Sequence, residues 1–248
     1  MLQRTFPSTA AAFGWLLAAP GASQPADTLA SPSVVGSISV HGNIRTRHEV
    51  IRRELLFASG ERLDTSLVRE SERNLRRLLF LGNVRVRMLP PAPEADSVDI
   101  SVELRDLYSR AVSPLFSGEV GEVSYGLVAL DYNFLGRGQV VQASARHDAV
   151  SGNSAGLFFR EPRLLGSHIG FRTRLELAEE GHLAALSLSQ PYYSLSSPWR
   201  FGVALHSSES LARQYSSGEL TARYRSSLGS AGIWAGHSAG DRIKIRPS

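Results

Sequence analysis

Residues 34 to 106 constrain the fold most, because each boundary between five successive elements is marked in the sequence. An alternating strand at residues 34–41 precedes a Gly42-Asn43 turn, and two helical segments follow it. A strand pair joined by a proline-rich turn completes the segment. The order β-α-α-β-β predicts a small α+β domain, an open-faced sandwich of a three-stranded sheet and two helices.

The two predicted helices each have a candidate N-cap. Thr46, with Glu49 three residues on, fits a capping box for the first helix, and Asp64 opens the longer second helix. Apolar residues at three- and four-residue steps should face the sheet. The expected buried set is Val50, Ile51, Leu55, Leu67, Val68, Ser71, Leu75, Leu78 and Leu79, and the expected exposed set is Arg52, Arg53 and Glu54.

The three predicted strands alternate with a period of two, which is typical of half-buried strands. Each should turn one apolar face toward the helices. The faces are Val34, Gly36, Ile38 and Val40 in the first strand, Val84, Val86 and Met88 in the second, and Val98, Ile100, Val102 and Leu104 in the third.

Three runs carry a family resemblance: Val40-x-Gly42-Asn43-x-x-Thr46, the stretch from Val50 to Leu55, and Leu78-x-x-Leu81-Gly82-Asn83-Val84-x-Val86. Together they resemble a POTRA domain, the periplasmic module of BamA-type outer-membrane assembly proteins. Asn83 departs from the pattern, since the family usually has an aromatic residue there. The resemblance implies a POTRA domain over residues 34–108.

The second half of the chain alternates in segments of roughly ten residues from about Glu119 onward, which is the pattern of transmembrane β-barrel strands. About eight strands are predicted, and charged residues share one face of several of them. A soluble β-sandwich is the alternative. The strand segments are residues 123–130, 139–148, 155–161, 169–177, 183–190, 199–206, 219–225 and 230–236.

Two turn motifs extend the resemblance: Asp131-x-Asn133-x-x-Gly136-x-Gly138, and the turn from Glu161 to Gly166. Both resemble turns between the first barrel strands of the BamA/TamA-type superfamily (bacterial surface antigens). The resemblance implies a barrel over residues 109–248. Because barrels of this family have about sixteen strands, we expect a truncated barrel, and a closed eight-stranded barrel is the alternative.

The N-terminus resembles a secretory signal peptide, with Arg4 before an apolar stretch and small residues after it. We predict a signal peptide over residues 1–26 and a linker over residues 27–33, and a disordered alanine-rich tail is the alternative. No cysteine is present, which excludes disulfides and thiolate sites.

The sequence offers little for catalysis or nucleic-acid binding. The string Gly236-His237-Ser238-Ala239-Gly240 matches a nucleophile elbow, yet no histidine follows Ser238 to complete a triad. The histidines lack metal-binding spacing, and acidic residues interleave with the arginines despite the net charge of +4. We therefore predict no enzyme, no cofactor, no metal and no nucleic-acid partner.

The expected activity is binding by strand addition at a sheet edge. As the resemblance implies, the predicted edge consists of Val84, Arg85, Val86, Arg87, Met88 and Leu89. The arginines should favour acidic clients. The implied partners are unfolded outer-membrane or secreted client proteins, the lipid bilayer of the outer membrane and periplasmic accessory proteins. The alternatives are a two-partner secretion transporter and a non-functional fragment or soluble interaction module.

Overall fold

A computed structural model of the chain describes residues 34–90, 96–119, 121–194 and 197–238. The predicted signal peptide and linker lie outside the described residues. No helix in the described ranges is long and apolar enough to cross a membrane. The described residues form one sheet of three strands and a second sheet of eight.

The N-terminal domain has the predicted element order. Its elements are β1 (Val34–His41), α1 (His48–Arg52), α2 (Thr65–Arg76), β2 (Leu81–Met88) and β3 (Ser97–Asp106). The sheet order is β1-β3-β2, with β1 parallel and β2 antiparallel to the central strand β3. β2 is therefore an outer strand.

The core of this domain lies between the sheet and the two helices. β3 contributes the face predicted for it, since Val98, Ile100, Val102 and Leu104 are all buried. The rest of the core comes from both helices, the segments that follow them and the outer strands. These residues are Val35, Val50, Ile51, Phe57, Val68, Leu75, Phe80, Leu81 and Val84.

The predicted face of β1 is wrong in its first half. Val35 is buried, and the pairing of β1 with β3 shifts register between Val35 and Ile38. Such an irregularity moves the following side chains to the other face. Val35 therefore packs into the core together with Ile38 and Val40.

Of the two predicted helix caps, only Asp64 is confirmed. Its carboxylate accepts a hydrogen bond from the N–H of Ser66 at 2.7 Å. α1 begins one residue later than predicted, with Arg47 at the N-cap position and no side-chain cap. α2 ends at Arg76, so Leu79 lies beyond the helix and is 70% exposed rather than buried.

The second sheet is a meander in which each strand pairs antiparallel with the next. β4 and β11 are its outer strands, and the described sheet is open, as expected for part of a barrel. The strands are β4 (Arg110–Glu119), β5 (Glu122–Phe134), β6 (Gln139–Asp148), β7 (Gly152–Glu161), β8 (Gly170–Ala178), β9 (Gly181–Gln190), β10 (Trp199–Ser216) and β11 (Glu219–His237).

The predicted count of eight strands is correct, but two differences offset each other. β4 was not predicted, whereas two predicted strands form the single strand β11. β4 contains Pro114, which lowers the strand signal of a sequence and is tolerated at an edge. This position is an edge, because β4 pairs only with β5 in the described sheet.

The two faces of the eight-stranded sheet differ in polarity. The cross-strand register puts the residues of each face in continuous rows. The apolar face carries Leu127, Leu157, Phe159, Phe171, Leu175, Leu186, Phe201, Val203, Leu205 and Ile233. The polar face carries Gln142, Arg146, Arg160, Arg172, Arg174, Glu176 and His206. An apolar outer face and a polar inner face are typical of a transmembrane barrel wall.

The β10–β11 hairpin extends past the rest of the sheet, and in this extension the two faces no longer differ in polarity. The pairing of β10 with β9 ends at Glu209, so residues beyond it have no neighbour on that side in the described sheet. In this overhang Tyr224 lies on the polar side and Arg225 on the apolar side, where Arg225 forms an ion pair with Glu209 at 3.1 Å. Strands β6 to β9 have nine or ten residues each, enough to span a bilayer. The overhang is therefore free of the requirement for an apolar outer face.

Candidate functional site

The N-terminal domain contacts the sheet at the end where β4 begins and where the β5–β6 and β7–β8 turns lie. We call this contact the junction. Its centre is Asn133, which is 2% exposed. The Asn133 Nδ2 donates to the Oγ1 of Thr46 at 2.8 Å, and its Oδ1 accepts from the N–H of Gly138 at 2.8 Å. One side chain thus closes the β5–β6 turn and fastens it to the domain.

Asp106, at the end of β3, holds the segment that receives this turn. Its carboxylate accepts hydrogen bonds from the N–H groups of Ile44, Arg45 and Thr46 and from the Thr46 hydroxyl. Burial raises the pKa of this carboxyl, but the hydrogen bonds from Thr46, Arg45 and Ile44 outweigh burial and leave the pKa below its ordinary value. The Thr46 side chain is engaged here, which explains why it does not cap α1.

Two glycines of the β5–β6 turn lie against the domain backbone and core. Gly136 has a φ of +72°, and a Cβ there would lie 2.2 Å from the carbonyl oxygen of Arg45. Gly138 has a φ of +69°, and its Cβ would lie 3.2 Å from Phe80 and Val50. The N–H of Arg47 donates to the Gly136 oxygen at 2.9 Å. The Gly-x-Gly spacing therefore permits a close backbone approach that other residues would prevent.

Charged groups surround this contact. Asp131 accepts from the guanidinium of Arg45 at 2.8 Å and from Arg110 at 3.2 Å. Arg53 donates to the carbonyl oxygen of Arg137 at 3.0 Å and lies 3.7 Å from Glu161. Opposite charges thus join residues of the domain, β4, β5 and β7.

The β7–β8 turn makes a second attachment through Arg163. Its Nε and Nη2 donate to the two carboxylate oxygens of Glu54 at 3.1 and 2.6 Å. The prediction that Arg53 and Glu54 lie on an exposed helix face is therefore wrong, since both contact the turns of the sheet. The two motifs that carried the barrel resemblance, around Asn133 and around Arg163, are the segments that form the junction.

Five of the six predicted client-binding residues lie on β2, along the outer edge of the three-stranded sheet, and Leu89 follows its last residue. All four residues from Arg85 to Met88 oppose β3 in register, and the N–H of Leu89 donates to the carbonyl oxygen of Asp99 at 2.8 Å. Leu89 therefore belongs to a hydrogen-bonded pair, as do Arg87 and Arg85, which lie two and four residues earlier. Alternation along an antiparallel strand then points the backbone groups of Val84, Val86 and Met88 away from β3.

Side chains of α2 already occupy part of this edge. Arg76 donates to the carbonyl oxygen of Val84 at 3.2 Å, and Glu72 accepts from the N–H of Val86 at 3.0 Å. Glu72 and Arg76 also form an ion pair at 2.5 Å. Sequence reasoning missed this covering, although the four-residue spacing of Glu72 and Arg76 is a signal for their pairing.

Comparisons with known proteins agree with this architecture. The family model described as "POTRA: Surface antigen variable number repeat" matches residues 33–105. The chain is 30% identical over 131 residues to the outer membrane protein assembly factor BamA of Neisseria meningitidis serogroup B, covering 52% of this chain and 16% of that protein. It is 23% identical over 154 residues to BamA of Nitratidesulfovibrio vulgaris, covering 59% of this chain and 18% of that protein.

The fold is also similar to a crystal structure of BamA from Haemophilus ducreyi that lacks POTRA domains 1–3. The TM-score is 0.53 at 17% identity, over 85% of this chain and 45% of that one. The chain thus spans under a fifth of the two curated relatives and under half of this structure. The matches assign it to the outer membrane of Gram-negative bacteria, with its N-terminal domain in the periplasm. Residues 33–105 thus match the POTRA family, and the chain joins this POTRA domain to an eight-stranded sheet that is similar in fold to part of a BamA barrel.

Proposed function

We propose that the chain takes part in the assembly or translocation of proteins at the outer membrane. In this proposal the POTRA domain binds extended client segments by adding them as a strand beside β2. The eight-stranded sheet acts at the membrane with its apolar face toward lipid. The two relatives matched by sequence support a role in protein assembly, since both are named outer membrane protein assembly factors.

The outer position of β2 is the observation that carries the proposal. Backbone N–H and C=O groups at a sheet edge bind an extended chain without requiring a particular sequence, which suits a factor with many clients. Met88 supports this edge as the point of first contact. Its backbone groups point outward, and the covering side chains Glu72 and Arg76 bond to Val84 and Val86 instead.

Crosslinking tests the proposal directly, because the chain contains no cysteine and any introduced thiol is unique. A Met88→Cys variant should form disulfides with an extended client peptide that carries one cysteine. A His41→Cys variant places an exposed thiol on β1, at the other side of the sheet, and serves as the matched control. Equal crosslinking of the two variants would contradict the β2 edge.

A backbone test complements the crosslinking. Val86→Pro removes the N–H that points outward from β2 and should weaken client binding. The N–H of Val86 bonds to Glu72 rather than to β3, so the sheet itself retains its hydrogen bonds. Undiminished crosslinking at Met88→Cys in the proline background would count against strand addition.

A further inference from the structure

A cavity of about 500 Å³ lies between the segment after α2 and the polar face of the eight-stranded sheet, beside the junction. Phe80, Tyr132 and Phe158 contribute aromatic walls. Arg77, Arg160 and Arg172 bring positive charge to the same space. The volume is in the range of about 300–1,000 Å³ that is usual for sites of small ligands.

Arg160 and Arg172 face each other directly on the neighbouring strands β7 and β8. Like charges at opposed positions destabilise a sheet. Neither side chain forms an ion pair with any described residue. Two other arginines of the polar face do have carboxylate partners, because Arg146 pairs with Asp148 at 3.0 Å and Arg174 with Glu176 at 3.1 Å. Arg160 and Arg172 thus line the cavity with no carboxylate partner among the described residues.

We propose that this cavity binds an acidic segment of a client polypeptide, with its carboxylates on Arg160 and Arg172 and its apolar side chains against the aromatic walls. A peptide fits better than a bilayer lipid. The cavity opens on the polar face, whereas Leu157, Phe159 and Phe171 mark the opposite face as the one toward lipid. The inference rests on the proposed function, since it gives the client a second contact after the β2 edge.

Binding of short labelled peptides to the full chain in detergent micelles tests the proposal. One peptide alternates aspartate with phenylalanine, and its counterpart replaces each aspartate by asparagine. Wild type should bind the acidic peptide at least about tenfold more tightly, as expected for charge-assisted contacts. Raised salt should weaken that binding. Equal affinity for the two peptides would overturn the proposal.

Variants identify the site. The Arg160→Gln/Arg172→Gln double variant should lose the preference for the acidic peptide, while Arg160→Lys/Arg172→Lys should keep most of it. Arg174→Gln, on the same face but paired with Glu176, is the matched control and should bind like wild type. If Arg174→Gln weakens binding as much as the double glutamine variant, the cavity is not the site.

Two competitors test whether the cavity prefers a phosphate group or an anionic lipid to the carboxylates of a peptide. Inorganic phosphate and micelles of short-chain phosphatidylglycerol should compete only weakly with the acidic peptide. Strong, arginine-dependent binding of the lipid instead of the peptide overturns the proposal. Crosslinking at Met88→Cys in the double glutamine background tests the β2 edge separately from the cavity. If this variant still crosslinks to the client peptide while wild type binds the acidic and neutral peptides equally, the β2 edge is retained and the cavity proposal is rejected.

Discussion

Arg163 and Glu54 form a two-point ion pair across the junction, with N to O distances of 3.1 and 2.6 Å and with side chains that are only 10% and 9% exposed. They lie 109 residues apart in the sequence. Removing one partner of a buried pair leaves an uncompensated charge, which costs about 3–5 kcal/mol. The pair therefore controls how firmly the β7–β8 turn is held on the POTRA domain.

Arg163→Ala should loosen the junction by an amount near the lower end of that range. Urea unfolding of the chain and protease cleavage at the β7–β8 turn both measure the change. Glu54→Leu/Arg163→Leu should recover part of the loss, because no buried charge remains unpaired. Arg87→Gln, which breaks the exposed pair with Glu103, is the control and should change stability by under about 1 kcal/mol. If Arg163→Ala and Arg87→Gln lose similar amounts of stability, the buried pair contributes no more than the exposed one and the prediction is wrong.

Asn133→Ala should weaken the same contact through lost hydrogen bonds rather than charge. The change removes the donor to Thr46 and the acceptor for the N–H of Gly138. Leaving buried groups without partners costs about 1–3 kcal/mol each. The urea midpoint should fall clearly, whereas Asn153→Ala, at an exposed position, should leave it nearly unchanged. A midpoint equal to wild type would show that water replaces the amide.

The elements with a regular pattern follow from the sequence with little ambiguity. The inward face of β3 and the Asp64 cap of α2 depend on local spacing, and both are confirmed. Errors arise where an irregularity breaks the period. The register shift after Val35 moves the face of β1, and Asn83, with a φ of +52°, lies within a similar shift in β2.

The junction is harder to predict because its partners are distant in the chain. The motif glycines and Asn133 stand out in the sequence, but nothing local shows that they meet Thr46 and Arg45. Glu54 looks like an ordinary exposed helix residue until the β7–β8 turn brings Arg163 to it. Tertiary contact thus decides which surface charges are structural.

Gly136→Ala should destabilise the junction by more than the conformational penalty of placing alanine at a positive φ. The new Cβ would lie 2.2 Å from the Arg45 carbonyl oxygen, so the turn and the domain have to separate. Gly218→Ala is the matched control, because Gly218 has a φ of +85° and no atom within 4 Å of the position of its Cβ. The control isolates the conformational penalty of about 1–2 kcal/mol. The Tm of Gly136→Ala should lie well below that of Gly218→Ala. The reverse order would contradict the close approach of the turn to the Arg45 backbone.

Asp106 should make the POTRA domain sensitive to acid. Burial raises the pKa of its carboxyl, but the hydrogen bonds from Thr46, Arg45 and Ile44 together outweigh burial and leave the folded pKa below the ordinary value of 3.8. The carboxylate therefore stabilises the fold fully above about pH 4, and this contribution is lost as the pH falls through the folded pKa. Urea midpoints measured across that range should fall steeply for wild type and less steeply for Asp106→Asn. Asp96→Asn, at an exposed carboxylate, should keep the wild-type slope.

Glu72→Ala should open the β2 edge if clients add to it. The substitution frees the N–H of Val86 and removes the ion-pair partner of Arg76, which bonds to Val84. A client strand then meets the freed N–H of Val86 beside the outward backbone groups of Met88, and crosslinking at Met88→Cys should increase. Arg73→Ala changes the neighbouring residue of α2, which is exposed, and serves as the control. Reduced crosslinking in Glu72→Ala, with the fold intact by circular dichroism, would mean that the α2 side chains help to hold the client rather than cover the edge.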